Sequence, residues 1–73
     1  MTDFRILLDR IPRDGMGRTL TAPERQALAA AGHTVSRRAR VISDSDTDWV
    51  GCVYEPAGDM LTRVGNWRVR TRD

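Results

Sequence analysis

Hydrophobic and polar positions along the chain have two periods, helical in one short segment and alternating in most of the remainder. The helical segment is Ala22–Ala31. Thr21 stands at the N-cap position with Glu24 three residues on, the reciprocal pattern of a capping box. Pro23 falls in the first turn, where a missing N–H is not needed. Gly32 comes next, at the position where helices often end in the left-handed conformation. The predicted inward stripe is Ala27, Leu28 and Ala31, which lets the helix approach a sheet closely but buries little surface.

After Gly32 the period becomes 2, the spacing of strands. Thr34–Ser43 reads as a strand with Val35, Ala39 and Val41 on one face. Asp44–Asp48 is a polar loop. Trp49–Glu55 is a second strand, apolar on both faces, with Val50, Cys52 and Tyr54 opposite Trp49 and Val53. Pro56-Ala57-Gly58-Asp59 is a turn. Met60–Val64 is a third strand, Gly65-Asn66 fits a two-residue hairpin turn, and Trp67–Arg72 is a fourth strand. Before the helix, Phe4, Leu7, Leu8 and Ile11 match helical spacing, while Phe4, Ile6 and Leu8 match alternation. Pro12 ends either element, and the run is short for a helix, which favours a strand. The pattern predicts one α+β domain over residues 1–73, with one short helix packed on a small antiparallel β-meander of three to five strands. Residues 1–20 form an N-terminal strand or short helix plus a loop, 21–32 the helix and 34–72 the meander.

With 73 residues the core is small and stability marginal. One cysteine, Cys52, and one histidine, His33, exclude an intrachain disulfide and a four-ligand zinc site. No metal and no cofactor is expected. No apolar run is long enough to span a membrane, and Ile6-Leu7-Leu8, broken by Asp9, does not read as a signal peptide. A reducing cytoplasm is the expected compartment.

All twelve basic residues are arginine, in a chain of net charge +2. Two readings of the missing lysine compete, the codon bias of a GC-rich genome, which is favoured, and the use of arginine for planar bidentate contacts to phosphate or carboxylate; the positions of the arginines carry more. In Trp67-Arg68-Val69-Arg70-Thr71-Arg72, alternation puts Trp67, Val69 and Thr71 on one face and three arginines on the other. A hairpin at Gly65-Asn66 sets Arg63 opposite Arg68, and Arg38 and Arg40 share a face of the first strand. Like charges side by side on a sheet cost stability, which solvent and salt screen or an anionic partner repays. The candidate partner-binding residues are therefore Arg38, Arg40, Arg63, Arg68, Arg70 and Arg72. Trp49 and Trp67 are expected in the core rather than as stacking platforms.

Two local resemblances bear on function. Asp44-x-Asp46-x-Asp48 followed by Glu55 resembles the spacing of an EF-hand calcium loop, but Trp49 stands where that loop needs glycine and the flanks read as strands. The alternative is a polar loop whose aspartates accept from turn amides, leaving the domain bipolar. Leu20-Thr21-x-x-Glu24-Arg25-x-x-Leu28 is similar to the opening helix of LuxR-type DNA-binding domains, which implies a basic recognition helix at Thr34–Arg40. That family continues into further helices where this chain turns to β.

Support for catalysis is thin. Cys52 falls mid-strand as a small buried hydrophobe, His33 lies just past the helix end, and Gly15-x-Gly17-Arg18 lacks a phosphate-loop signature. The expected function is non-enzymatic: a regulator or inhibitor docking its arginine face on an acidic surface of a larger protein. In size and composition the chain looks like accessory proteins of phages and mobile elements, whose partners include host RNA polymerase and defence complexes. The same arginines on nucleic-acid phosphates are the alternative, set second because the net charge is low for such a binder. No membrane partner is expected, and an edge strand near Arg72 leaves room for a homodimer.

Overall fold

The computed structural model describes residues 7–46, 49–65 and 68–71. Its strands are β1 (Leu7–Leu8), β2 (Arg18–Thr19), β3 (Arg40–Ser43), β4 (Val50–Ala57), β5 (Met60–Arg63) and β6 (Val69–Thr71), with one helix, α1 (Ala22–Ala30), between β2 and β3. The chain is thus a small α+β fold.

Both ends of α1 are made by the residues that predict them. The Glu24 N–H donates to the Thr21 hydroxyl at 3.4 Å and the Glu24 carboxylate accepts from the Thr21 N–H at 2.9 Å, closing the capping box. At the far end Gly32 has φ +94°. Its N–H donates to the Ala29 carbonyl at 3.0 Å and the His33 N–H to the Leu28 carbonyl at 2.8 Å, the two bonds of a Schellman motif. The inward stripe differs from expectation. Leu28 is fully buried, but Ala27 is half-buried and Ala31 exposed, because Ala31 is the C-cap residue where the helix leaves the core. Glu24, one turn before Leu28 on the same face, is buried instead.

The sheet has six strands in a mixed arrangement, ordered β1-β6-β4-β3-β2, with β5 also on β4. Of the N-terminal segment, Leu7–Leu8 is a strand, joined to β6 in parallel through Leu7↔Arg70 and Leu8↔Thr71, while Phe4 and Ile6 lie outside the described residues. The other pairs are antiparallel. The core lies between one sheet face and α1, with Leu8, Val41, Val53 and Val69 meeting Ile11, Leu20, Leu28 and Ala39.

Two of the predicted strands are changed. Residues 34–39 do not join β3. The Glu55 carboxylate accepts from the Ser36 N–H at 2.9 Å and the Ser36 hydroxyl at 2.6 Å, and the Ala39 N–H turns back to the Ser36 carbonyl at 3.2 Å. Ser36 and Glu55 thus hold a turn, although Val35 still packs on the core. Nor is Gly65-Asn66 a hairpin turn. β5 and β6 both lie against β4, with Arg63 opposite Tyr54 and Val69 opposite Gly51. Six positions separate Arg63 from Val69 and three separate their partners, so the connection is longer than the stretch of β4 it passes; Asn66 and Trp67 within it lie outside the described residues. The hairpin turn is Gly58-Asp59, between Ala57 and Met60, with Gly58 at φ +67°.

Candidate functional site

The register fixes what the sheet shows on the side away from α1. Pairing partners point to the same side, and alternate residues along a strand share it. Arg40, Tyr54 and Arg63 therefore form one row across β3, β4 and β5. Ile42 and Cys52 form the next, and Val50, Arg70 and Leu7 a third across β4, β6 and β1. Leu61, paired with Pro56, belongs to the same side. The outer face sets buried Cys52 among half-buried and exposed side chains, Leu7, Ile42, Val50, Tyr54 and Leu61, and carries three cations.

Each arginine is held differently. Arg40 donates through Nε to the Met16 carbonyl at 3.2 Å, so the 13–17 loop steadies it beside β3. Arg63 donates to the Cys52 sulfur at 3.0 Å, and this bond pushes its guanidinium above its already high value, so it remains a cation at any working pH. Cys52 itself is buried, as expected of it. Arg68 pairs with Asp44 at 3.1 Å. Arg70 is exposed, and among the described residues no carboxylate pairs with it.

Of the six arginines singled out from sequence, Arg40, Arg63 and Arg70 come together on one side, and Arg68 joins them through alternation with Arg70. The alternation expected of the last strand holds where it is described: Val69 and Thr71 are buried and Arg70 is exposed between them. Arg63 is not opposite Arg68, because β5 and β6 both pair with β4 rather than with each other. Arg38 does not share a strand face with Arg40, because it sits in the turn that Ser36 closes. Arg72 lies outside the described residues, as do Asp48 and Trp67.

Trp49, expected in the core, is 47% exposed. It precedes β4, and its carbonyl accepts from the Thr71 N–H at 2.6 Å. Within the acidic loop Asp44 uses its carboxylate on Arg68 and its N–H on the Val50 carbonyl at 3.0 Å, while Asp46 is exposed. Glu55 is committed to Ser36. Among the described residues no three His, Cys, Asp or Glu side chains gather as a metal site. None of the described helices is long and apolar enough to cross a membrane.

One cluster escaped sequence reasoning. Arg18 and Glu24 form a bidentate pair beneath the N-terminus of α1, at 2.8 and 2.9 Å. Arg18 also donates to the carbonyls of Asp9, Arg10 and Thr19 at 2.8, 3.0 and 3.0 Å. Glu24 accepts in addition from the Asp9 N–H at 2.9 Å. Burial works to raise the Glu24 carboxyl, but the Arg18 hydrogen bonds and the amides of Asp9 and Thr21 outweigh it and hold Glu24 at about 2. The capping box announces Glu24; nothing in a local pattern distinguishes Arg18 from the other arginines. The pair ties the Asp9–Arg10 segment to the helix and has no lone pair or proton to spare for a ligand.

No protein-family model, curated protein or solved structure matches this chain.

Proposed function

We propose that the chain is a non-enzymatic binding protein that docks the outer face of its sheet on an acidic surface of a larger protein, as a regulator or inhibitor. The observation that carries this reading is the pair of rows Arg40–Tyr54–Arg63 and Leu7–Arg70–Val50, with Ile42 and Cys52 between them, on the side away from α1. Planar guanidinium groups set among apolar and aromatic side chains are what protein interfaces are enriched in. They offer bidentate contacts to carboxylates. A phosphate backbone rewards cations alone, whereas here exposed Leu7 and Leu61 flank them. A buried, unpaired Cys52 fits a reducing compartment, and we assign the protein there.

The test is capture from a bacterial lysate treated with nuclease, with wild type beside the charge-reversed Arg40→Glu/Arg70→Glu variant. A stoichiometric protein held by wild type and lost from the variant supports the reading. Titration with random DNA and RNA across a salt series runs in parallel. Tight binding with a steep salt dependence would transfer the face to nucleic acid. Equal capture by wild type and variant would leave the face merely solvated.

A further inference from the structure

Strand β5 has an open side. Among the described residues it pairs with β4 alone, while β6, further along the same side of β4, is covered by β1. The hydrogen-bond pattern fixes which of its groups are unused. The Val64 N–H donates to the Val53 carbonyl at 2.9 Å, marking that pair as directly bonded. Antiparallel ladders alternate, so Thr62 with Glu55 and Met60 with Ala57 are bonded too. Leu61 and Arg63 therefore turn their N–H and C=O groups outward, away from β4. Pro56, opposite Leu61, agrees with this, since its missing N–H is not called on at that pair. All four residues of β5 are exposed, Met60 at 73% and Leu61 at 44%. Natural edges are usually covered, bulged or kept charged; this one is uncovered among the described residues and apolar at its centre.

We infer that β5 is the contact through which two copies of this chain pair edge to edge about a two-fold axis at Leu61. The segment Asp59-Met60-Leu61-Thr62-Arg63 is complementary to itself when run antiparallel. Leu61 meets Leu61 of the second copy, Met60 meets Thr62, and Asp59 meets Arg63 at both ends. The outward groups of Leu61 lie at the axis, where a directly bonded pair must sit. The register one step along puts Arg63 opposite Leu61 and leaves both charges unmatched. The paired form covers the two most exposed apolar residues of the edge and joins the two sheets into one. Arg63 and Leu61 belong to both surfaces, whereas Arg40, Arg68 and Arg70 lie on other strands and stay uncovered, so the Arg40→Glu/Arg70→Glu variant leaves the paired edge intact.

Sedimentation equilibrium of the full chain over a concentration series tests this. The expected result is a reversible dimer of the 8.2 kDa chain. Asp59→Arg and Arg63→Asp each oppose like charges at both ends, and each raises the dimer dissociation constant by about tenfold or more. Mixed one to one, these two variants associate again, because each supplies the charge the other lacks. Leu61→Pro removes only an outward N–H and yields a folded monomer by circular dichroism. A wild-type chain that stays monomeric up to about 1 mM, a dimer indifferent to Leu61→Pro, or charge variants that fail to associate when mixed would each overturn the inference.

Discussion

Arg18 and Glu24 face each other as a two-point ion pair, 2.8 and 2.9 Å apart, at the corner where β2 passes into α1. The Glu24 side chain is only 8% exposed and that of Arg18 21%, so neither charge can be left alone cheaply. Every remaining donor direction of Arg18 is used on a backbone carbonyl of the segment 9–19.

Removing Arg18 is expected to destabilise the fold by about 2–4 kcal/mol, since it strands a buried carboxylate and three carbonyls. For a domain this small that is most of its stability. Arg18→Lys recovers little, because an ammonium cannot supply the planar fork. Urea unfolding of Arg18→Ala and Arg18→Lys measures both.

The same pair predicts the acid limb of stability. Glu24 sits at about 2 in the folded chain against an ordinary value of 4.5. A depressed carboxyl stabilises the fold fully above its unfolded value and loses that contribution as pH falls toward its folded one. Stability is therefore expected to drop between about pH 5 and pH 2, by on the order of 2–3 kcal/mol from this group. Thermal midpoints across that range check it, and Glu24→Gln should be less stable at neutral pH with a shallower fall.

Two glycines should respond differently to alanine. A Cβ at Gly32 meets nothing within 4 Å, so Gly32→Ala costs only the left-handed backbone, about 1 kcal/mol. A Cβ at Gly51 would stand 2.7 Å from the Ile42 carbonyl oxygen and collide with the Ile11 methyl. The carbonyl belongs to a paired strand and cannot yield, so Gly51→Ala is expected to cost about 2 kcal/mol or more. Denaturant midpoints of the two variants rank them.

Arg68→Ala and Arg70→Ala should change stability by less than about 1 kcal/mol each. Arg70 is exposed, and the Arg68–Asp44 pair is too, with Arg68 58% exposed. Wild-type melting of both variants is the required control for any binding defect assigned to the face; a large loss in either would make that arginine structural.

Local chemistry sufficed for the helix. Thr21, Pro23, Glu24 and Gly32 set its limits to within a residue, because caps and the first turn depend on neighbours a few positions away. Alternation likewise placed Val69 and Thr71 inward and Arg70 outward, because a pleated strand leaves no other choice. Beyond the reach of sequence was every relation that depends on which strand lies beside which. Gly65-Asn66 satisfies a hairpin rule locally, yet β5 and β6 pair with the same side of β4 and not with each other. Whether Trp49 is covered depends on what folding brings beside it. Arg18 looks like any other arginine until folding brings the carbonyls of Asp9 and Arg10 and the Glu24 carboxylate around it. Sequence alone determined the periodic elements and the cations they carry outward; tertiary structure alone decided which cations share a face, because strand pairing is a long-range choice no short window encodes.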